Sequence, residues 1–330
     1  MRGIEGWLMA RWYGPVAPGP VLRVVAAAWG RVMALRRGLY RRGVLDRPRL
    51  PIPVLVVGNR TVGGAGKTPV VIALARALSA RGWAVGVVSR GHGRRTRVPV
   101  RVAGGLVADV CGDEPLLVHR ETGVPVEVDI DRVAAVRRLA AAGCTLAIAD
   151  DGLQHLRLAR RLELEVEDAR GHGNGRVMPA GPLREPLPPV PAFARLVQGR
   201  PASAGEVPVL HRLGDARRLA DGECLPLAAF AGRRVHAVAG IGHPARFFEA
   251  LRVAGLDPVP HPFPDHHAFR AADFERLDGA PILMTGKDAV KCAGLAPPDT
   301  WEVPLEAILP DDFLDRLDAA LRVPSADAPA

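Results

Sequence analysis

An apolar run that leads into a glycine-rich loop, residues 53–69, constrains the fold of this chain more than any other feature. The run from Val54 to Val57 is β-branched or leucine throughout, which is typical of a parallel strand buried on both faces. The loop closes with Gly66, Lys67 and Thr68, and apolar residues follow at helical spacing. Such loops bind phosphate through backbone N–H groups and the lysine, and the threonine hydroxyl can ligate magnesium. The segment predicts strand, phosphate-binding loop and helix.

The loop differs from the common pattern at its start, where Thr61 stands in place of the first glycine. Val62 occupies the position at which dimerising partition-type ATPases carry a lysine, and the adjacent Lys287 and Asp288 do not fit a guanine-reading motif. A glycine-rich turn that binds no ligand is the alternative interpretation. The predicted nucleotide contacts are Thr61, Val62, Gly63, Gly64, Ala65, Gly66, Lys67 and Thr68.

Length and cysteine usage bound the class of protein. A chain of 330 residues is long enough for two domains, each with its own core. The four cysteines are scattered without a close pair, so neither a zinc site nor a disulfide framework is indicated. A reducing cytosol is the expected compartment.

The excess of positive charge, formally +9, is concentrated in residues 19–43. That segment predicts a basic amphipathic helix, whose apolar runs are too short to span a bilayer and lack the features of a secretory signal. The functional interpretation is docking on an anionic membrane surface; a helix packed on the protein's own core is the alternative. No nucleic-acid signature supports a third interpretation, and no protein partner is implied. The arginines are Arg23, Arg31, Arg36, Arg37, Arg41 and Arg42.

Further apolar runs at 84–88 and 146–150 predict a doubly wound parallel sheet of the P-loop NTPase type, with a second, smaller α/β domain. Between 162 and 166 leucine and valine alternate with glutamate, which predicts a half-exposed strand that leaves the first sheet. The predicted domains are a membrane-docking segment (1–45), a nucleotide-binding domain (46–160), a smaller α/β domain closing the cleft (161–305), and a C-terminal helix and tail (306–330), with a return to the first domain left open.

Several acidic residues stand where phosphoryl transfer needs them. Asp150 and Asp151 close an apolar strand, so they are candidate magnesium ligands alongside Thr68, although both can simply cap a loop. Asp113 follows a glycine at a helix start, which suits either a base for a substrate hydroxyl or an N-cap. His266 is a candidate assistant to that base or an exposed loop residue, and His267 leaves a metal site open.

Together these segments resemble the tetraacyldisaccharide 4'-kinase family. The resemblance implies transfer of the γ-phosphoryl group of ATP, with Mg²⁺, to the 4'-hydroxyl of a tetraacyldisaccharide 1-phosphate at the cytoplasmic face of the inner membrane. The matching motifs are Leu39–Gly43, Gly58–Asn59, Thr61–Pro69, Ser89–Gly91, Gly112–Pro115, Asp150–His155, Gly173–Gly175, Pro179–Pro186, Asp265–His266 and Lys287–Lys291.

The resemblance also implies roles for individual residues. Asp113 would be the general base assisted by His266, Asp150 and Asp151 the metal and nucleotide-side carboxylates, and Glu114 a further metal or substrate contact. The implied substrate contacts are Asn59, Arg90, Gln154, His155, Asn174 and Arg184. The chain departs from the family pattern at His92, His243 and Gly286. The alternatives are a metal-insertion or cofactor-synthesis ATPase with a soluble substrate, and a nucleotide-gated membrane-surface protein without acceptor chemistry.

Overall fold

The computed structural model describes residues 2–189, 192–292 and 294–323, so the predicted tail beyond Val323 lies outside the described residues. The helices are α1 (Arg2–Trp12), α2 (Pro20–Arg41), α3 (Lys67–Ala80), α4 (Ala108–Cys111), α5 (Asp113–Thr122), α6 (Arg132–Ala141), α7 (Pro244–Val253), α8 (Gly286–Ala289) and α9 (Asp311–Arg322). The strands are β1 (Val54–Gly58), β2 (Val85–Ser89), β3 (Val100–Val102), β4 (Val126–Val128), β5 (Leu146–Asp150), β6 (Leu162–Glu167), β7 (Ala194–Gln198), β8 (Glu206–Leu213), β9 (Ala216–Arg218), β10 (Cys224–Leu225), β11 (Arg234–Ala239), β12 (Asp257–Pro262), β13 (Ile282–Thr285), β14 (Thr300–Val303) and β15 (Leu305–Ile308).

The chain divides into two compact units. The first comprises the described residues up to Arg90, Asp131–Leu210 and those from Leu309 onward, and the second comprises Gly91–Ile130 and His211–Ile308. This division differs from the predicted boundaries: residues 161–210 group with the nucleotide-binding loop, and residues 91–130 group with the second unit.

The first unit is built on a parallel sheet in the order β8-β7-β6-β1-β5-β2. On β1, Val54 and Val56 pack with α6 in one apolar cluster, while Leu55 and Val57, which alternate with them, are equally buried. Burial of both faces explains why the strand is a continuous apolar run. The predicted doubly wound α/β fold is confirmed.

The prediction that residues 162–166 leave the first sheet is wrong, because β6 pairs in parallel with β1, with Leu55 opposite Leu162. The alternation of Glu163 and Glu165 indicated solvent, yet Glu163 is half-buried and Glu165 is buried, as is Glu167 at the end of β6. Glu165 lies 3.0 Å from Arg60 and Glu167 lies 2.6 Å from Arg200. Buried ion pairs, rather than exposure, account for the alternation.

The second unit contains a six-stranded sheet in the order β10-β9-β14-β13-β11-β12, and β3 pairs antiparallel with β4. β11, β12, β13 and β14 run parallel, and β9 joins β14 antiparallel. Phe230, Phe248 and Trp301 are among the residues that fill the core between this sheet and α7. The unit is therefore α/β, as predicted for the smaller domain.

Candidate active site

The glycine-rich loop of the first unit depends on backbone conformations that favour glycine. Gly63 and Gly66 have φ of 101° and 64°, in the left-handed region that costs little only without a Cβ. A Cβ on Gly66 would lie 2.8 Å from the side-chain nitrogen of Gln198. Gly66 immediately precedes α3, so the loop delivers the chain to a helix N-terminus, where backbone N–H groups and the helix dipole favour phosphate.

Asn59, at the end of β1, supports this loop from inside. Its buried Nδ2 donates to the carbonyls of Thr61 at 2.9 Å and Gly63 at 3.2 Å. Its Oδ1 accepts a hydrogen bond from Lys67 Nζ at 3.1 Å. The side chain therefore shapes the loop and orients the lysine. Its expected role as a substrate contact stays a prediction.

Two adjacent aspartates lie beside the loop, Asp150 as the last residue of β5 and Asp151 directly after it. Asp150 is buried and lies in register with Val57 of β1, the strand that feeds the loop. Asp151 has φ of 51°, an uncommon conformation for a residue with a Cβ. Its carboxylate lies 3.4 Å from Lys67 Nζ and 3.0 Å from Arg184 Nη1. Such backbone conformations persist where surrounding contacts enforce them, often at functional sites.

The ionisation of Asp151 follows from these partners. Burial by itself would raise the pKa of the carboxyl, but the opposing charges of Lys67 and Arg184 lower the pKa overall. The carbonyl of Asp151 also accepts a 2.7 Å hydrogen bond from Arg132 Nη1. Asp151 is therefore an ionised carboxylate in a fixed position next to Lys67.

A second loop, residues 182–185, runs alongside the phosphate-binding loop. Val62 N donates to Pro182 O at 2.9 Å, and Arg184 Nε donates to Thr61 O at 3.0 Å. Gln154 connects the two loops: its Nε2 donates to Asn59 O at 3.2 Å, and its Oε1 accepts a hydrogen bond from Arg184 Nη1 at 3.4 Å. The fold thus brings together Lys67, Asp151, Gln154 and Arg184, which the sequence places up to 117 positions apart.

In the second unit, two glycines allow the motif around Gly91 to pack against the motif around Gly112. Their φ values are 68° and 93°. A Cβ on Gly112 would lie 3.2 Å from Gly91 Cα, and one on Gly91 would lie 2.4 Å from Val128 Cγ1. Only glycine permits this approach of the two backbones. Gly112 then leads directly into α5, whose first residue is Asp113.

Asp113 and His266 form a hydrogen-bonded pair in the second unit. His266 Nδ1–H donates to Asp113 Oδ2 at 3.0 Å, a tautomer assigned from the hydrogen-bond arrangement. Glu114 N donates to the other carboxylate oxygen at 3.0 Å. Asp113 is buried, and His266 has φ of 57°. A carboxylate held by an imidazole, 153 residues away in the chain, has the arrangement expected of a general base and its partner.

Lys287 on α8 completes this cluster. Its Nζ lies 3.1 Å from Glu114 Oε1, 3.8 Å from Asp265 Oδ1 and 3.4 Å from His266 Nε2. Burial by itself would lower the pKa of the amine, but the carboxylates of Glu114, Asp113 and Asp265 raise the pKa overall. Lys287 is therefore a fixed positive charge beside the Asp113–His266 pair.

Comparisons with known proteins agree with this geometry. A family model described as tetraacyldisaccharide-1-P 4'-kinase matches residues 19–322. The chain belongs to this family. A tetraacyldisaccharide 4'-kinase from Alkalilimnicola ehrlichii is 51% identical over 310 residues, covering 91% of this chain and 92% of that protein. One from Xanthomonas euvesicatoria is 48% identical over 329 residues, covering 93% and 94%.

A solved structure gives the same result in three dimensions. The crystal structure of LpxK from Aquifex aeolicus in complex with ATP superposes with a TM-score of 0.76 at 27% identity, covering 90% of this chain and 96% of that one. The family resemblance and the kinase fold predicted from the motifs are therefore confirmed. The soluble-substrate ATPase and the binding protein without acceptor chemistry are not favoured.

Other residues of this tetraacyldisaccharide 4'-kinase family member have contacts that spacing could not predict. Asn174 Nδ2 donates to Arg11 O and Ala180 O, and its Oδ1 accepts from Arg176 N at 3.0 Å. Arg90 is exposed at the residue after β2. Burial, followed by the charge of Arg132, lowers the pKa of His155 to about 4, so its imidazole is neutral at neutral pH. The substrate roles of Arg90, Asn174 and His155 remain predictions.

Three residues that contact the candidate site were not among the predicted site residues: Arg132, Glu185 and Lys287. Glu185 and Lys287 lie in motifs that match the family and were available from the sequence, whereas nothing local marks Arg132. His267 Nε2 lies 3.0 Å from Asp273 rather than near metal-ligand partners. Among the described residues, Glu165, Glu167 and His172 are grouped closely enough for a metal, but arginines already neutralise both carboxylates.

The departure from the family pattern at Gly286 has a structural counterpart. A Cβ on Gly286 would lie 2.8 Å from Glu302 Oε1 and 3.2 Å from Leu117 Cδ1. Glu302 on β14 is fully buried and pairs with Arg120 and with Arg217, the latter at 3.2 Å. A buried carboxylate from another strand therefore fills the space that a side chain at 286 would need.

Proposed function

We propose that the chain transfers the γ-phosphoryl group of ATP to the 4'-hydroxyl of a tetraacyldisaccharide 1-phosphate, a precursor of lipid A. The observation that carries the proposal is the Asp113–His266 pair in a chain that also holds Lys67 at the start of α3. A buried carboxylate held by an imidazole suits the removal of a proton from an acceptor hydroxyl. The family to which the chain belongs supports the same reaction.

The first unit would bind the nucleotide. The loop before α3 and Lys67 suit the β- and γ-phosphates, and Arg184 adds a second cation. Thr68, Asp150 and Asp151 offer only hydroxyl and carboxylate oxygens, which fit Mg²⁺. When bound there, Mg²⁺ would neutralise charge on the phosphate oxygens. Glu114 is proposed as an acceptor-side or metal contact, with Lys287 as its charge partner.

The second unit would prepare the acceptor. Asp113 takes the proton of the 4'-hydroxyl as the sugar oxygen bonds to the γ-phosphorus and the bond to the β,γ-bridging oxygen breaks, so that ADP leaves. His266 Nδ1–H holds the carboxylate in place by its 3.0 Å hydrogen bond. Lys287 places a positive charge beside this carboxylate, since its Nζ lies 3.9 Å from Asp113 Oδ2.

A further part of the proposal is docking on anionic lipid at the cytoplasmic face of the inner membrane. None of the described helices is long and apolar enough to cross a bilayer. On α2, however, Val21, Val24 and Leu35 are 73%, 70% and 62% exposed on an arginine-rich helix. These apolar side chains are not buried against the protein itself. Their exposure favours membrane docking over the alternative of a helix packed on the core.

Vesicle flotation tests the docking. The double variant Val24→Asp/Leu35→Asp should lose binding to vesicles containing anionic phospholipid. The matched control is Val98→Asp, at a 65% exposed valine in a loop of the second unit, and it should bind like the unaltered protein. Equal flotation of all three proteins would contradict docking through α2.

The transferase activity is tested by incubating the full chain with γ-labelled ATP, Mg²⁺ and tetraacyldisaccharide 1-phosphate in mixed micelles. A labelled lipid made by the unaltered protein, and reduced at least about 100-fold in Asp113→Asn, is expected for loss of a general base. ATP hydrolysis without labelled lipid would contradict the proposal.

A further inference from the structure

We propose that Arg37, on the surface helix α2, is a positioning residue for the phosphate site of the kinase proposed above. Two arginines of α2 are directed inward: Arg36, whose Nη1 donates to Gln154 O at 3.4 Å, and Arg37. Arg37 is the one that contacts Glu185. Its side chain is 13% exposed, and Nη2 donates to Glu185 Oε2 at 2.7 Å and to Pro186 O at 2.8 Å. A charge-assisted pair with a nearly buried carboxylate is a stronger tether than an exposed ion pair.

Glu185 connects Arg37 with the elements around the glycine-rich loop through further polar contacts. Its side chain is 5% exposed, and Oε1 accepts a hydrogen bond from Gln154 Nε2 at 3.3 Å. Arg60 Nη1 lies 3.6 Å from the same oxygen. Gln154 in turn donates to Asn59 O and accepts from Arg184, so Glu185 connects α2 with the end of β1 and with the turn after β5.

Arg184, the residue before Glu185, connects α2 with Lys67 through Asp151. Its carbonyl accepts a 3.1 Å hydrogen bond from Trp29 Nε1 of α2, while its guanidinium contacts Asp151 at 3.0 Å and Thr61 O at 3.0 Å. Asp151 lies 3.4 Å from Lys67 Nζ. Helix α2 thus holds the main chain of residues 184–186 on one side, and the side chain of Arg184 reaches the phosphate-binding lysine on the other.

The loop needs such anchors because its sequence supplies little regular structure. Residues 179–186 contain Pro179, Gly181, Pro182 and Pro186, and the described residues between β6 and β7 form no helix or named strand. Hydrogen bonds from outside therefore set the position of Arg184. A displacement of about 1 Å in a positioning group can lower a rate about 100-fold. We accordingly assign α2 a role in the nucleotide site, in addition to its exposed apolar side chains.

The test compares Arg37→Ala with Arg37→Lys and with Arg137→Ala in the full chain. Arg137 is an exposed arginine of α6 and gives the same change of charge. Arg37→Ala should lower kcat/KM for ATP by about 10- to 100-fold and weaken binding of a fluorescent ATP analogue measured without acceptor. Arg37→Lys, which keeps the charge but replaces the planar guanidinium by a shorter side chain, should lie between. Arg137→Ala should match the unaltered protein.

Two further measurements separate positioning from other causes. Thermal unfolding reports the folded fraction, and flotation on anionic vesicles should be similar for Arg37→Ala and the unaltered protein. Unchanged kcat/KM and ATP binding in folded Arg37→Ala, or a loss of activity that merely follows a loss of vesicle binding, would overturn the inference. If Arg37→Ala does not fold, Arg37→Lys with unchanged ATP parameters would overturn it equally. Absence of lipid phosphorylation by the unaltered protein would contradict the proposed function instead.

Discussion

Coupling between Asp113 and His266 can be measured by a double-mutant cycle. Asp113→Asn keeps the shape of the side chain but removes the proton acceptor, so the rate should fall about 100- to 10,000-fold. His266→Ala removes one charge-assisted hydrogen bond of 3.0 Å to that carboxylate. Such a bond contributes about 1.5–3 kcal/mol. Since about 1.4 kcal/mol corresponds to a tenfold change in rate, His266→Ala should cost about 10- to 150-fold.

The double variant decides whether the imidazole acts through the carboxylate. If it does, Asp113→Asn/His266→Ala should be no slower than Asp113→Asn by more than about threefold, because residues that act as a unit are not additive. The assay is the initial rate of label transfer from ATP to tetraacyldisaccharide 1-phosphate at saturating substrates, with thermal unfolding curves to confirm folding. Losses that multiply in the double variant would refute the coupling and would assign His266 an independent role.

Three further predictions concern the two units separately. Lys67→Ala should abolish transfer while the melting temperature stays near that of the unaltered protein; unchanged turnover would remove Lys67 from the site. Gly286→Glu should lower the free energy of unfolding in urea by about 2 kcal/mol or more, because its Cβ would lie 2.8 Å from Oε1 of buried Glu302. The control Gly104→Ala, in open space, should change the free energy of unfolding little. A stabilised Gly286→Glu would contradict the packing. The pKa of His155 is lowered to about 4 in the folded chain, so below the usual imidazole pKa the unfolded chain binds a proton that the folded chain does not, and the free energy of unfolding falls on acidification. His155→Gln should therefore lose less unfolding free energy between pH 7 and pH 4. An equal loss would contradict a neutral buried imidazole.

Local sequence was sufficient for the loop and its strand. The apolar run before Gly63 and the Gly66-Lys67-Thr68 ending depend on short-range chemistry, and β1 and α3 lie where that chemistry predicts. The pairing of Asp113 with His266 could not be read from spacing, because 153 residues separate them and only the fold brings them within 3.0 Å. There, resemblance to a family contributed what periodicity could not.

The wrong prediction for residues 162–166, which form part of β6, has a physical cause. Alternating leucine and glutamate normally indicates one wet face. Here Arg60, whose side chain is 3% exposed, neutralises Glu165 at 3.0 Å inside the protein. His172 Nε2 lies 2.7 Å from the same glutamate. Partners from elsewhere in the chain allow these glutamates to be buried. Those partners cannot be identified from the residues around β6 alone.

The proposed reaction phosphorylates the 4'-hydroxyl of the glycolipid, and its product can be identified directly. The most direct measurement is ³¹P NMR of the purified lipid product, with ADP determined in the same reaction. Phosphorylation at this hydroxyl should give a second phosphomonoester resonance, located by coupling to the proton at the 4'-position. The original 1-phosphate should be retained, and the amount of ADP should equal that of the new ester. Free phosphate equal to ADP with an unchanged lipid, or a new ester at another position, would contradict it.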